Sequence, residues 1–403
     1  MDFAKYRDIP VTIRNWCQIC GTPSDSPVID MPQFPLTEIY IDHYMDEKLG
    51  FVNQGLQYCN VCGHAQLKFV VDVNLQYGDV GGYFFRTSQS ITGRETTTFF
   101  LDFVNKFISN RTFSTIVELG CNDMYLLKSI KKRALKLIGI DPLLKGREAE
   151  FSEDNIIAIG DFFENVELGS NIDVVICKDA LEHVSDPKEF VRKIVDKASP
   201  DTLFFFQFPI LETILEDFRF DQVFHQHLNY FTLKSVIRML DDLNCGLLGY
   251  TVNRNHWGAG LFAFQKGKKS SVFANRAWNI TPADILDRFK LFKLDMELTR
   301  KRIEFARNEI IYGYGAALML PLLNYYLDGA LLKLKCVIDD DKQKSGLYYL
   351  NLPLEIVHPS SIADYRDSVL MLTAIASRIN IKQILNHALS LNPKYIIYPL
   401  RTI

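Results

Sequence analysis

The chain has 403 residues, of which 48% are hydrophobic and 23% charged, with a formal net charge of −3, so two or three domains can each bury a core. The near-neutral balance removes any general attraction to nucleic acid or anionic lipid, and the runs Lys131-Lys132-Arg133 and Lys266-Gly267-Lys268-Lys269 read as solvated surface. Asp2, Lys5, Arg7 and Asp8 interrupt any apolar leader, and Pro321, Asn324 and Asp328 break the longest apolar stretch, 316–332, so neither a signal peptide nor a membrane span is expected.

Two cysteine pairs come first, Cys17-x-x-Cys20 and Cys59-x-x-Cys62, each followed by a glycine, Gly21 or Gly63. Each has the spacing of a metal knuckle, in which a tight turn points two thiolates at one tetrahedral ion and the glycine relieves the turn. Two matched pairs argue for one shared structural Zn²⁺ with a full coordination sphere over four buried thiols or two redox couples. Pro23, Pro27, Pro32 and Pro35 forbid a long helix between them, so residues 1–75 read as a zinc-ribbon-like module in which metal replaces a core. The other cysteines, Cys121, Cys177, Cys245 and Cys336, read as small buried hydrophobes of a reducing cytoplasm.

A polar-aromatic passage, 83–90, precedes a helix expected over 93–110. Strands at 115–119, 137–140, 156–159, 174–177 and 202–206 then alternate with helices at 124–136 and 187–197, the pattern of a mostly parallel doubly wound sheet. Thr232 can cap a helix running to 242. A long helix over 282–308, with Leu286, Phe289, Phe292, Leu294, Met296 and Ile303 on its apolar face, connects to a last α/β unit with strands at 309–312, 335–338 and 368–372. The domains are thus 1–75, 76–268 and 269–403.

Glu118-Leu119-Gly120-Cys121-Asn122-Asp123 ends the first strand and enters a helix, where open α/β sheets bind ligands. Asp141 and Asp161 stand at the ends of the next two strands, able to accept from ribose hydroxyls and an adenine amine; strand-end Asp is also a common turn residue. No G-x-G-x-x-G occurs here, which argues against a dinucleotide. His225 and His227, two apart in an extended segment, would share a face and could converge on one pocket; ordered loop residues or a metal site are the alternatives. His183 ends the fourth strand.

These features together resemble the S-adenosylmethionine-dependent sugar C-methyltransferases that act on nucleotide-linked 4-keto-6-deoxysugars. The resemblance rests on E-L-G-C-N-D-x-Y-L-L from Glu118, Gly139-Ile140-Asp141-Pro142, Asp179-Ala180-Leu181-Glu182-His183-Val184-Ser185-Asp186-Pro187, the Y-x-Y-x-S-S-x-S-like segment Tyr83–Ser90 and Phe224-His225-Gln226-His227-Leu228-Asn229-Tyr230-Phe231. It implies a central class I, Rossmann-like methyltransferase domain between the zinc-binding module and a C-terminal Rossmann-like domain. It also implies S-adenosylmethionine held by Tyr83, Ser88, Glu118, Gly120, Asn122, Asp123, Asp141, Asp161 and Lys178. His227 would be the general base, with His225, His183 and Tyr83 beside it, and His256, Gly313, Tyr314, Gly315, Asp339 and Lys344 would hold the nucleotide sugar.

The chain departs from the family at Met124, where a glycine is usual and a methionine is expected to narrow the cofactor's methionine end, and at Phe224 and Gln226, which replace a tyrosine and a glutamate. The expected protein is a cytoplasmic C-methyltransferase, monomer or homodimer, without nucleic-acid or membrane partners. The alternatives are a sugar O-methyltransferase or epimerase on the same scaffold, or an inactive member that binds a sugar nucleotide or a partner.

Overall fold

The protein is described by a computed structural model over residues 3–24, 26–72, 75, 86–109, 111–169, 171–255, 258–270, 273, 278–374 and 378–399; Tyr83, Phe84, Phe85, His256 and Trp257 lie outside the described residues. The N-terminal chain builds strands β1 (Val11–Ile13), β2 (Ile29–Pro35), β3 (Tyr40–Ile41), β4 (Phe51–Tyr58), β5 (Ala65–Leu67) and β6 (Phe69–Val71). β1 pairs with β6, and β2, β4 and β5 form an antiparallel sheet whose fourth strand, β12 (Asn229–Tyr230), comes from far along the chain. The module therefore does not end at residue 75: its sheet is completed by the segment that carries the histidines.

The central sheet has seven strands: β7 (Phe113–Leu119), β8 (Ala134–Ile140), β9 (Ile156–Ile159), β10 (Val174–Lys178), β11 (Leu203–Pro209), β13 (Cys245–Asn253) and β14 (Ala259–Lys266), in the order β13-β14-β11-β10-β7-β8-β9. Five are parallel, and the β13–β14 hairpin closes one edge antiparallel. The parallel strands are buried on both faces, which is why they read as continuous apolar runs such as Leu203–Pro209.

The first helix runs Ile91–Ile108, capped by Ser90, whose hydroxyl accepts from the Gly93 amide at 3.1 Å. A side chain at Gly93 would meet the Thr87 carbonyl oxygen at 2.8 Å, which fixes how closely the 86–90 segment lies on that helix. The helix expected over 124–136 is only Tyr125–Ser129, followed by a 3₁₀ turn at Lys131–Arg133. β8 begins at Ala134, because that residue's side chain is needed in the sheet's core.

The C-terminal unit is a parallel sheet in the order β18-β16-β15-β19-β20, from β15 (Ile310–Tyr314), β16 (Val337–Ile338), β18 (Ile356–Val357), β19 (Ser368–Leu372) and β20 (Tyr395–Ile397). The N-terminal module is stitched to it by β3 and β17 (Tyr348–Tyr349), and the Tyr40 hydroxyl donates to the Ala316 carbonyl at 2.7 Å. The connector helix, Pro282–Phe305, starts at a Thr281–Asp284 capping box. It buries Ile285, Phe292, Met296 and Ile303, whereas Leu286 and Leu294, expected on the same face, are exposed. One apolar core joins all three parts, from Phe34 and Leu56 through Leu211 and Phe224 to Phe292, Leu320 and Val369. Among the described residues no helix is long and apolar enough to cross a membrane.

Arg14 is the buried clamp between the parts. Its guanidinium donates to the Leu228 carbonyl at 2.8 Å and to the Asn229 side chain at 3.3 Å, and it also binds the Ser185 carbonyl. Burial pushes its pKa down to about 10, with Asp186 opposing the shift, so it stays charged. Arg14→Ala is expected to cost about 2–4 kcal/mol by denaturant unfolding, because three acceptors, two of them buried, lose a charged donor, and Arg14→Lys should restore little of it.

Candidate functional site

A cavity of about 490 Å³ opens at the carboxyl ends of β7, β8, β9 and β10, lined among others by Glu118, Gly120, Asn122, Asp141, Asp161, Lys178 and His183. The glycine turn is tight: Gly120 has φ 72°, and a Cβ there would meet the Ala180 Cβ at 2.7 Å. Asp141 fastens the turn, accepting from the Asn122 amide at 2.8 Å and the Leu143 amide at 2.9 Å. The 86–90 segment docks on the same turn, with the Thr87 amide on the Asn122 side-chain oxygen at 3.1 Å and the Ser88 amide on Asp123 at 2.9 Å. Ser88 and Asp123 thus support the cavity from behind its lining.

The acids differ in state. Burial pushes Glu118 well above the usual carboxylate range, and its Oε2 is buried without a hydrogen-bond partner. Asp141 is likewise pushed up to about 6 by burial, opposed by its two amide donors. Asp161 sits low, held by the Asn165 amide at 2.8 Å and by the Phe162 backbone, so it also works as a turn cap. Lys178 is tied to Asp179 at 2.6 Å, and Gln207 donates to the same carboxylate at 3.0 and 3.1 Å. Buried acceptors around a glycine turn fit a ligand that brings hydroxyl, amino and cationic groups.

Met124 does not narrow this space. It has φ 64° and is fully buried, and it points away from the lining, under β8; a Cβ on Gly139 would meet its sulfur at 2.2 Å. The left-handed backbone explains why glycine suits the position, and the side chain compensates by filling the core beside Cys121.

The two histidines of the 224–231 segment diverge. The segment turns at His225-Gln226, where the His227 amide bonds to the Phe224 carbonyl at 3.0 Å, so it is not extended and its side chains do not alternate as expected. His225 is fully buried in the N-terminal module, its Nδ1 3.1 Å from the Gln54 amide and its Nε2 3.2 Å from the Phe34 carbonyl. Its expected place beside the base is therefore corrected to an anchoring one. Gln226 points the same way, exchanging hydrogen bonds with Thr37 at 3.0 and 2.9 Å. His227 instead meets His183, with ring centroids 5.0 Å apart, and lies under Phe224 at 4.1 Å. His183 lines the cavity and its Nδ1 is 2.8 Å from the Gln226 carbonyl. Burial holds both imidazoles below their ordinary pKa, His227 far below, with Asp179 pulling each back up. Glu182, His183 and His227 place their ligand atoms within 4.8 Å of one another and could hold a metal ion.

The four N-terminal cysteines do the same: their sulfurs lie within 4.8 Å of one another, with Cys17–Cys62 and Cys20–Cys59 each 3.5 Å apart. A tetrahedron of thiolates at about 2.3 Å from Zn²⁺ has edges near 3.8 Å, so the donor set fits a metal. The two knuckles are the same turn used twice. Gly21 bonds to the Cys17 carbonyl at 2.9 Å and Gly63 to the Cys59 carbonyl at 2.8 Å, while Cys17 and Cys59 each bond five residues ahead, to Thr22 and His64.

The C-terminal turn brings its expected residues together and uses them on itself. Asp339 accepts from the Ala316 amide at 2.6 Å, and Lys344 reaches Asp339 at 3.4 Å and the Ala316 carbonyl at 3.3 Å. The Tyr314 hydroxyl binds Asp340 at 2.9 Å and His387 at 2.7 Å. A Cβ on Gly315, where φ is 97°, would meet Ala374 at 2.3 Å, so packing and backbone demand that glycine, while one on Gly313 would meet Thr373 at 3.1 Å, a tight fit. None of these residues lines the cavity of the central domain.

Residues 93–248 match the family model for a methyltransferase domain. This segment is a methyltransferase domain. The chain is 26% identical over 133 residues to the C-methyltransferase NovU of Streptomyces niveus, an alignment covering 31% of this chain and 31% of that relative's length. Among solved structures, the N-methyltransferase NodS of Bradyrhizobium japonicum, in complex with S-adenosyl-L-homocysteine, aligns at 14% identity with a TM-score of 0.36, over 44% of this chain and 89% of that one. The complex of the Haloferax volcanii Trm112 methyltransferase activator with a methyltransferase gives 11% identity and a TM-score of 0.37, over 43% and 92%.

Several lining residues of the methyltransferase domain carried no motif in the sequence: Thr97, Phe162, Phe163 and Phe190 reach the cavity from helix faces and from a turn. The one available signal was position: Phe162 and Phe163 come just after a strand, and Phe190 lies in the first turn of a helix. Met124→Gly is expected to lower stability by about 1–3 kcal/mol, since losing a buried methionine costs more than relaxing one left-handed residue returns. Calorimetric titration should find S-adenosylmethionine affinity within about twofold of wild type, because the side chain does not face the cavity.

Proposed function

We propose that the protein is a C-methyltransferase of a nucleotide-linked keto-deoxysugar, with His227 as general base. The observation that carries this reading is His183 in the lining of the same cavity as the glycine turn and the buried acids, with His227, itself behind the lining, packed against the His183 ring. S-adenosylmethionine supplies an electrophilic methyl group, for which Glu118, Asp141 and Asp161 offer acceptors to the amino, ribose and adenine groups. A 4-keto group acidifies the neighbouring C–H of the sugar, and His227, neutral through burial, takes that proton. S-adenosylmethionine would supply the methyl group to the carbanionic carbon, and His183, which touches His227 and lines the cavity, would carry the abstracted proton on toward solvent. The likeness to a C-methyltransferase favours carbon over oxygen as the acceptor. The nucleotide part is assigned to the C-terminal turn, where Lys344 would have to exchange its contact with Asp339 for a phosphate. The four buried thiols outside the cysteine cluster, Cys121, Cys177, Cys245 and Cys336, suit a reducing cytoplasm.

Incubation with a panel of nucleotide 4-ketosugars and labelled S-adenosylmethionine tests the reading directly: a carbon-bound methyl supports it. An oxygen-bound methyl, or inversion without methylation, assigns the scaffold to the alternative chemistries, and absence of cofactor binding marks a binding protein. In D₂O, His227→Ala should lose both C–H exchange of the ketosugar and methyl transfer by about 10²–10⁴-fold while still binding S-adenosylmethionine.

The four cysteines are assigned to structural Zn²⁺, which their full thiolate set would hold without an open position. Removing zinc should unfold the knuckles first, seen as loss of protection in hydrogen exchange over 14–24 and 57–67. Activity should then fall with the order of the 224–230 segment, and re-addition of Zn²⁺ should restore both.

A further inference from the structure

The connector helix Pro282–Phe305 has two apolar faces. The first is buried in the shared core. Nearly opposite lie Leu291, Leu294, Leu298 and Phe305, exposed by 44%, 49%, 46% and 90%. Their spacing of three, four and seven residues keeps them in one stripe along some 20 Å of helix. We propose that this stripe is the interface of a symmetric homodimer, in which the connector helices of two copies pack antiparallel about a two-fold axis at Leu294.

A two-fold axis makes the same surface face itself, so every residue before Leu294 must suit its counterpart after it. This stripe meets that demand along its length. Leu294 faces its own copy, and Leu291 faces the partner's Leu298. Asp287, two turns before the centre, faces the partner's Lys301, two turns after it. Exposed Ala283 leaves room opposite the partner's Phe305. Along one flank, Lys290 falls beside the partner's Glu297. Within one chain Lys290 already pairs with Asp287 at 2.9 Å and Lys301 with Glu297 at 2.8 Å. The axis would join these two pairs into a four-charge network of alternating sign at each end of the stripe. A parallel arrangement would instead set Asp287 against the partner's Asp287 and Lys301 against the partner's Lys301. The charges therefore select the antiparallel register as well as the partner, a second copy of this chain.

Sedimentation velocity on the full-length, zinc-loaded protein should find a dimer at micromolar concentration. Leu294→Glu, which sets two carboxylates together on the axis, should raise the dissociation constant about 100-fold or more with an unchanged circular dichroism spectrum. Asp287→Lys and Lys301→Asp should each weaken the dimer, and the two together should restore it, a rescue that no intrachain role of these residues predicts. A wild-type monomer at tens of micromolar overturns the proposal. So does a dimer indifferent to Leu294→Glu, which would place the interface elsewhere, or a double charge swap weaker than both single ones.

Discussion

The segment 224–230 belongs to the methyltransferase domain by sequence and to the N-terminal sheet by hydrogen bonding. Asn229 and Tyr230 pair with Gln66 and Ala65 as an edge strand, Arg14 holds the Leu228 carbonyl, and His225 and Gln226 are gripped by Gln54, Phe34 and Thr37. Each neutral bond contributes only about 1 kcal/mol net, but a buried donor or acceptor left unpaired costs up to about 3. The loop therefore has one low-energy position, and that position sets His227 against His183 at the edge of the cavity. The rest of the site depends on this shared ladder, because His183 is itself held through the Gln226 carbonyl.

The same dependence gives the cysteine knuckles a purpose away from the chemistry. Their turns pack among Phe231, Leu233, Val236 and Met239, and Thr232, which caps the following helix, also donates to the Gly63 carbonyl at 3.1 Å. One threonine thus terminates the histidine segment, starts a helix and braces a knuckle. A metal held there would fix the edge of the sheet on which the histidine segment lies, with no ligand position exposed to substrate. The C-terminal unit joins through the β3–β17 pair and the common core, so all three parts share one packed interior.

The departures from the family pattern separate once their surroundings are known. Met124 is a core residue with an uncommon backbone. Gln226 makes amide bonds that a carboxylate could make only in part, since its nitrogen donates to the Thr37 carbonyl. Phe224 lies on the His227 ring and adds to its desolvation, so among the three it bears most directly on that histidine.

Much was legible in the chain itself. The cysteine spacing with its glycines, the alternation of apolar runs and helices, and the acids at successive strand ends are local patterns, and local backbone geometry enforces them: a two-residue gap makes a knuckle, and the end of a parallel strand faces the ligand side of its sheet. The partners of His225 and His227 were not legible, because they lie 171 and 191 residues away for His225, and a single turn at His225-Gln226 reversed the alternation that an extended segment implied. The faces of the connector helix were misassigned in part for the same reason. Its apolar residues run all the way round, and only packing against the common core decided that Ile285, Phe292, Met296 and Ile303 go inside while Leu294 stays out. Sequence determined which short-range devices this protein has; tertiary structure, through contacts between residues far apart in the chain, decided which of them face one another.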